Sequence, residues 1–257
     1  MFTRILDLPK LNEKDIEEAI NYEVEQSIPI AANDLIYDWQ TINQTEEKST
    51  IVLAAAPKSI VNSYMQLFKI LNVEPLALEM SLAAIARSMV SNKEKAEPVL
   101  ILDIGGQASN LAVFDSNLRV TGSHPIGGLT IRSQLSQSLK ISDKEAEKTL
   151  KEGIKEKSKA SDIIKESIDK LAAESNNMVQ YFTEKNKGQK VSKMLLCGGL
   201  AFVPWLPEYF HEKTKLETKV GNPWVNISIY PIKPVPKEEA PSYASAIGLC
   251  LRGFLDD

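Results

Sequence analysis

The chain has 257 residues, enough for one large domain or two lobes around a sizeable core. Its 43% hydrophobic and 25% charged residues are those of an ordinary globular protein, and a net charge of −4 exerts no global pull toward nucleic acid or anionic lipid. Cys197 and Cys250 form neither a metal-ligand spacing nor a disulfide framework, no apolar run approaches the roughly 18–20 residues of a membrane span, and Met1-Phe2-Thr3-Arg4 lacks a secretory signal pattern, which together predict a reducing, cytoplasmic setting with any membrane association made through a partner.

Residues 6–9 read as a strand end or turn. Asn12, three residues before Asp15, is a helix N-cap. Ile16, Ile20, Val24 and Ile28 then recur every four residues on one helix face, which Pro29 stops. The acidic residues around that face read as a solvated surface or, alternatively, as a partner surface beside Ile28, Pro29 and Ile30. Residues 35–42 form a strand with Leu35, Tyr37 and Trp39 on one face. Residues 43–49 are a polar loop and 50–56 a short buried strand. Ile60, Val61, Tyr64, Leu67, Phe68 and Leu71 fall at helical spacing, with Asn72 closing the helix. Residues 73–79 are extended, 81–90 an Ala-rich helix, and 91–98 a charged linker and lobe boundary. The order is that of an α/β protein.

Residues 99–104 are apolar except for Asp103, the pattern of a strand buried on both faces. Gly105-Gly106 turns the chain into a second short apolar strand, 109–114, so the unit is a β-hairpin. The G-x-G-x-x-G and following helix of a Rossmann loop are absent. The turn's backbone N–H groups form a nest for an anion such as phosphate, with Asp103 facing it through Mg²⁺ or water; an ordinary tight turn capped by a half-buried Asp is the alternative. A third strand, 118–123, leads through Gly127-Gly128 into a helix with Ile131, Leu135 and Leu139 on one face. Those glycines let the helix N-terminus approach a phosphate, or serve close strand–helix packing. His124 reads as a loop residue, since no ligand cluster accompanies it.

Ser142 and Glu145 form a capping box that opens a charged helix ending near Gly153. After a connector at 158–162, Ile164, Ile168, Leu171, Ser175, Met178 and Phe182 mark a long amphipathic helix that ends before Gly188. The piece 141–189 reads as an inserted subdomain. Residues 191–197 are a strand, followed by Gly198-Gly199 and a helix starting at Pro204. Glycines at that turn admit a flat ligand or, alternatively, close packing. Residues 225–232 are a strand, 233–241 a Pro-rich connector, and 243–255 a final helix capped by Ser242, whose small residues predict close packing on another helix.

In order and spacing these pieces resemble the actin-like ATPase fold, a ribonuclease H-like α/β fold shared by actin, Hsp70, sugar kinases and FtsA. Leu-Asp-Ile-Gly-Gly (102–106) looks like that fold's second phosphate hairpin, Leu-Leu-Cys-Gly-Gly-Leu-Ala (195–201) like its adenosine motif, and 80–89 and 241–249 like its two connecting helices. The chain resembles the PilM family of type IV pilus assembly proteins more specifically. That resemblance is carried by Thr3-Arg4, Leu8-Pro9, the 19–29 helix with Glu23 and Ile28-Pro29, Tyr37-Asp38-Trp39-Gln40, residues 52–57, Ile126-Gly127-Gly128 and Ala146-Glu147.

The resemblance implies four subdomains: 1–47, 48–98 with 240–257, 99–140 with 190–239, and 141–189. It implies ATP and Mg as candidate ligands, held by Asp103, Gly105, Gly106, Gln107, Gly127, Gly128, Glu147, Lys151, Gly198, Gly199 and Leu200, with Asp103 facing the metal. It implies a groove near Ile28, Pro29 and Ile30 for the cytoplasmic tail of PilN, an inner-membrane pilus protein, and homo-oligomers as a further mode of association. The sequence departs from the pattern twice. All twelve glycines fall at or after Gly105, so Asp-Ile-Gly occurs once, at 103–105, and the fold's first phosphate hairpin has no counterpart; the chain is expected to begin inside the small subdomain. The family's Ala-Glu-x-x-Lys also carries Leu150 at its last position, with Lys151 one residue later. Losing one electrostatic donor costs roughly 10²–10³ in rate, so the expected function is an adaptor with weak or lost hydrolysis. The alternative is an active ATPase whose first loop lies upstream or comes from a partner.

Overall fold

The computed structural model describes residues 2–91, 97–152, 154–228, 235–236 and 239–253. The chain divides into two compact units, Met1–Met80 and Ser81–Asp257.

The first unit is a three-stranded antiparallel sheet in the order β1-β3-β2, built from β1 (Phe2–Pro9), β2 (Leu35–Gln44) and β3 (Lys48–Pro57), with helices α1 (Glu13–Ser27) and α2 (Lys58–Ile70). The four-residue period of α1 becomes the core. Ile16, Ile20, Val24 and Ile28 pack on Leu35, Ile51, Leu53 and Ala55 of the sheet. The Asn12 side chain accepts from the Asp15 N–H at 3.0 Å, and Ile28, extended ahead of Pro29, closes the helix. The strand end expected at 6–9 is the last part of a full strand, because all of Phe2–Pro9 pairs with β3. The loop expected at 43–49 shrinks to 45–47, since Asn43 and Gln44 already pair with Thr50 and Ser49. The expected boundary at 47/48 thus falls at the hairpin between two paired strands. Helix α2 forms as its spacing predicts, but much of its apolar stripe is uncovered: Val61 and Phe68 are half-buried, whereas Tyr64 is 55% exposed and Leu71 59%.

The second unit is a five-stranded mixed sheet in the order β6-β5-β4-β7-β8. Strands β4 (Val99–Ile104), β5 (Ser109–Asp115) and β6 (Asn117–His124) form an antiparallel meander, while β7 (Lys193–Cys197) and β8 (Glu217–Val220) run parallel to β4. Strand β4 is buried on both faces, as its unbroken apolar run predicts. On one face Leu100, Leu102 and Ile104 join a core with α4 (Gly128–Leu139), α6 (Lys159–Lys185) and α7 (Leu206–Thr214). Helix α3 (Ser81–Met89) packs against β4, β5 and β6 and against α8 (Ala244–Arg252). A Cβ on Gly248 would stand 1.8 Å from the Ala84 carbonyl oxygen, so the small residues of α8 set the approach of the two helices. Helix α5 (Asp143–Lys151) opens on the expected capping box. The connector expected at 158–162 is instead the first turn of α6, because Ser158 and Ser161 make a second box. Of the strand expected at 225–232, the described part is a turn; the remainder, and residues 233, 234, 237 and 238 of the Pro-rich connector, lie outside the described residues, while the connector's last two residues open a 3-10 turn, Ala240–Tyr243.

Candidate functional site

Two strand–glycine turns lie side by side at one end of the second unit's sheet. The parallel register of β4 and β7 sets Asp103 opposite Cys197, so the turns that follow, Gly105-Gly106 and Gly198-Gly199, leave adjacent strands at the same edge. This places the ligand-facing end of the unit at the C-terminal ends of parallel strands, where open α/β sheets bind ligands.

The glycines divide by what surrounds them. Gly198 has φ +84°, and a Cβ there would meet the Ile104 carbonyl oxygen at 2.4 Å and Asp103 Oδ1 at 2.6 Å. Glycine is required at this position both by the left-handed backbone and by the closeness of β4. Gly127 is the N-cap of α4, and a Cβ on it would strike the hairpin turn at Gly106 O, 2.6 Å. Gly105 is similarly closed by Ala108 O at 2.9 Å. Gly106 and Gly199, by contrast, have nothing within 4 Å of a Cβ position. Gly105, Gly127 and Gly198 serve packing, and the open ground for a ligand is beside Gly106 and Gly199, with the exposed Gln107 next to the first.

Of the two roles open to Gly127-Gly128, close packing is the one for which contacts are present at the N-terminus of α4. Gly128 N–H donates to Gly105 O and Leu129 N–H to Gly106 O, each at 2.8 Å, while Ile131 N–H closes the first helical bond to Gly127 O. The helix is therefore docked on the hairpin, and two of its first donors are spent on the turn's carbonyls.

Asp103 is half-buried at the end of β4. Burial raises its carboxyl above the ordinary value, partly offset by hydrogen bonds from Asn110 and Cys197. The Cys197 thiol is pushed well up by burial and by the neighbouring Asp103, which fixes it as a neutral S–H donor. Sequence reading found neither Asn110 nor Cys197. The signal was there for the cysteine: strand–Gly-Gly occurs twice, and aligning the two turns brings Cys197 beside the hairpin.

Glu147 and Lys151 pair with each other at 2.7 Å, and Arg132 of α4 reaches Glu147 at 3.7 Å and Asp143 at 3.9 Å. The hydrogen bond from Lys151, then its charge and that of Arg132, hold the Glu147 carboxyl below its ordinary value. Leu150, which replaces the expected lysine, packs on the core. Leu200 is 5% exposed and also belongs to the core, so its backbone, not its side chain, borders the turn. In the first unit Ile28 is 5% exposed within the core, leaving Pro29 exposed and Ile30 half-buried as that segment's surface.

Among the described residues, no three His, Cys, Asp or Glu side chains gather to hold a metal ion. None of the described helices is long and apolar enough to cross a membrane. The open glycines beside an acidic strand end suit a phosphorylated ligand: Gly106, Gln107 and Gly199 would hold it through their backbone, and Asp103 would face its cation.

The model of the family described as type IV pilus assembly protein PilM matches residues 2–254. Among solved structures, the chain is similar to one in a PilM–PilN type IV pilus biogenesis complex, with TM-score 0.82 and 21% identity, over 98% of this chain and 76% of that one. It is also similar to the ethanolamine utilization protein EutJ from Carboxydothermus hydrogenoformans, with TM-score 0.56 and 20% identity, over 74% of this chain and 60% of that one. A third similarity is to MreB5 of Spiroplasma citri bound to ADP, with TM-score 0.61 and 15% identity, over 78% of this chain and 66% of that one.

Proposed function

The chain belongs to the PilM family of type IV pilus assembly proteins and has an actin-like fold, and from that premise we propose that it is an adaptor that binds the cytoplasmic tail of a PilN-like inner-membrane protein. The observation that carries the proposal is the fold match, along almost the whole chain, to a structure solved as a PilM–PilN complex. The adaptor would work on the cytoplasmic face of the membrane, reaching it through that partner. Unit 1 supports the reading. Pro29 and Ile30 offer apolar surface beside the α1 core, and Tyr64 and Leu67 on one side of α2 lie exposed; either surface suits a short apolar peptide.

In the same proposal, ATP is held at Gly106, Gln107 and Gly199, with its hydrolysis weak or lost. These 257 residues carry one Asp-x-Gly-Gly hairpin, at 103–106, so this polypeptide by itself grips a triphosphate from one side, whereas phosphoryl transfer needs charge neutralised from several.

Calorimetry tests both parts. A synthetic peptide of the PilN-like tail should bind the chain saturably, and Ile30→Asp should weaken it by at least about tenfold, because a carboxylate would then face an apolar peptide. Mg-ATP should bind without release of phosphate above the solution rate. Absence of tail binding would refute the adaptor; sustained turnover by this chain alone would refute the slow clamp.

A further inference from the structure

Unit 2 has a concavity, of about 630 Å³, between Glu152 and residues 154–156 on one side and α7 on the other, and it shares no lining residue with the turns at Gly106 and Gly199. Trp205 and Tyr209 line it. Their rings meet edge to face, with centroids 5.6 Å apart and planes at 80°. The indole N–H of Trp205 donates to the Ile154 carbonyl at 2.8 Å, and the Tyr209 hydroxyl donates to Asp169 Oδ1 at 2.8 Å. Both polar handles are thus satisfied inside the fold, which leaves the rings as the part of each side chain free to border the cavity. The chain already sets a cation on one of the two rings: Lys213 Nζ stands 5.0 Å from the Tyr209 ring centroid.

The rest of the lining is strongly one-signed. Glu152, Glu156, Glu208 and Glu212 surround the cavity, against Lys155 alone on the positive side. Glu152 is paired with Lys148 at 3.5 Å, but the side chains of Glu156, Glu208 and Glu212 enter no ion pair among the described residues. Glu208 and Glu212 lie one helical turn apart on α7, a spacing at which like charges destabilise a helix.

We propose that this cleft docks a short basic peptide segment of a partner protein, with a Lys or Arg side chain laid against Trp205 and Tyr209 and held between the glutamates. Charge complementarity selects the occupant. Aromatic faces attract ammonium and guanidinium groups, unpaired carboxylates accept their hydrogen bonds, and the same carboxylates repel an acidic segment. The proposal is independent of the tail site on unit 1.

The test uses the full chain with Trp39→Phe and Trp224→Phe, which leaves Trp205 as the sole indole. A synthetic peptide of alternating Leu and Arg should change Trp205 emission saturably and with strong salt dependence, and its Leu/Glu counterpart should not. Glu208→Gln with Glu212→Gln, two exposed changes that leave far-UV circular dichroism intact, should weaken the basic peptide by roughly tenfold. Anisotropy of the labelled peptide on the chain with all its tryptophans gives the same readout without those replacements. Equal binding of the Leu/Glu peptide, unchanged affinity in the double glutamine variant, or no saturation would each overturn the proposal. So would sedimentation showing that the free chain self-associates and that the double variant abolishes it, because the occupant would then be a second copy.

Discussion

Replacing Gly198 by alanine is the sharpest test of how the two turns are fitted together. An L-residue forced to φ +84° costs about 1–2 kcal/mol. The new methyl would also stand 2.4 Å from Ile104 O and 2.6 Å from Asp103 Oδ1. The first of these is sheet backbone that cannot swing aside, and overpacking of this kind costs about 1–3 kcal/mol. The sum, about 2–5 kcal/mol, is a large share of the roughly 5–15 kcal/mol that holds a domain folded. With a urea slope of about 2 kcal/mol per molar, the midpoint for unit 2 should fall by about 1–2.5 M. Gly199→Ala is the matched control. Its Cβ would meet nothing within 4 Å and its φ is not positive, so the midpoint should move by less than about 0.5 kcal/mol equivalent. Urea unfolding followed by circular dichroism reads both. If Gly198→Ala unfolds at the same urea concentration as Gly199→Ala, the packing role assigned to Gly198 is wrong.

Gly248→Ala should destabilise unit 2 by about 1–3 kcal/mol in the same assay, although alanine is the better helix former, because the Ala84 carbonyl stands 1.8 Å from the new Cβ; a stabilised variant would contradict the close α3–α8 contact. Ile20→Ala, at a fully buried position of α1, should cost about 2–5 kcal/mol and lower the midpoint of unit 1. Asp103 gives a pH test. Its folded pKa lies above the unfolded 3.8, so the folded chain holds the extra proton between the two values; stability falls as pH rises through that window and stays at the lower level above it. Asp103→Asn should therefore raise the thermal midpoint at neutral pH, flatten that dependence and weaken Mg-nucleotide binding, and a lowered midpoint at neutral pH would refute the burial argument.

Much of the fold was legible because it is written locally. The period of Ile16, Ile20, Val24 and Ile28 and the apolar run at 99–104 each became a core surface, and the caps at Asn12 and Ser142 hold, whereas Ser242 lies within a 3-10 turn and the last helix starts after Tyr243 without a side-chain cap. What was not legible depends on distant partners. Phe2–Pro9 is a strand only because β3 lies beside it, and the register between Asp103 and Cys197 joins residues far apart in sequence. The same reason separates the candidate glycines. Sequence shows them as equivalent pairs, but only the neighbouring backbone tells that Gly127 and Gly198 are wedged while Gly106 and Gly199 are open. Leu200 and Ile28 read as site residues from their motifs and lie in the core, because apolar side chains beside a turn are drawn inward whichever role the turn has.

The two hydrogen bonds from Gly128 and Leu129 to the hairpin carbonyls have a mechanical consequence. A turn held only by its own strands flexes by itself, but this one is bolted to a twelve-residue helix, and Arg132 fastens that helix in turn to Asp143 and Glu147. The glycine tip therefore cannot shift by itself: it either carries the first turn of α4 with it or gives up both bonds.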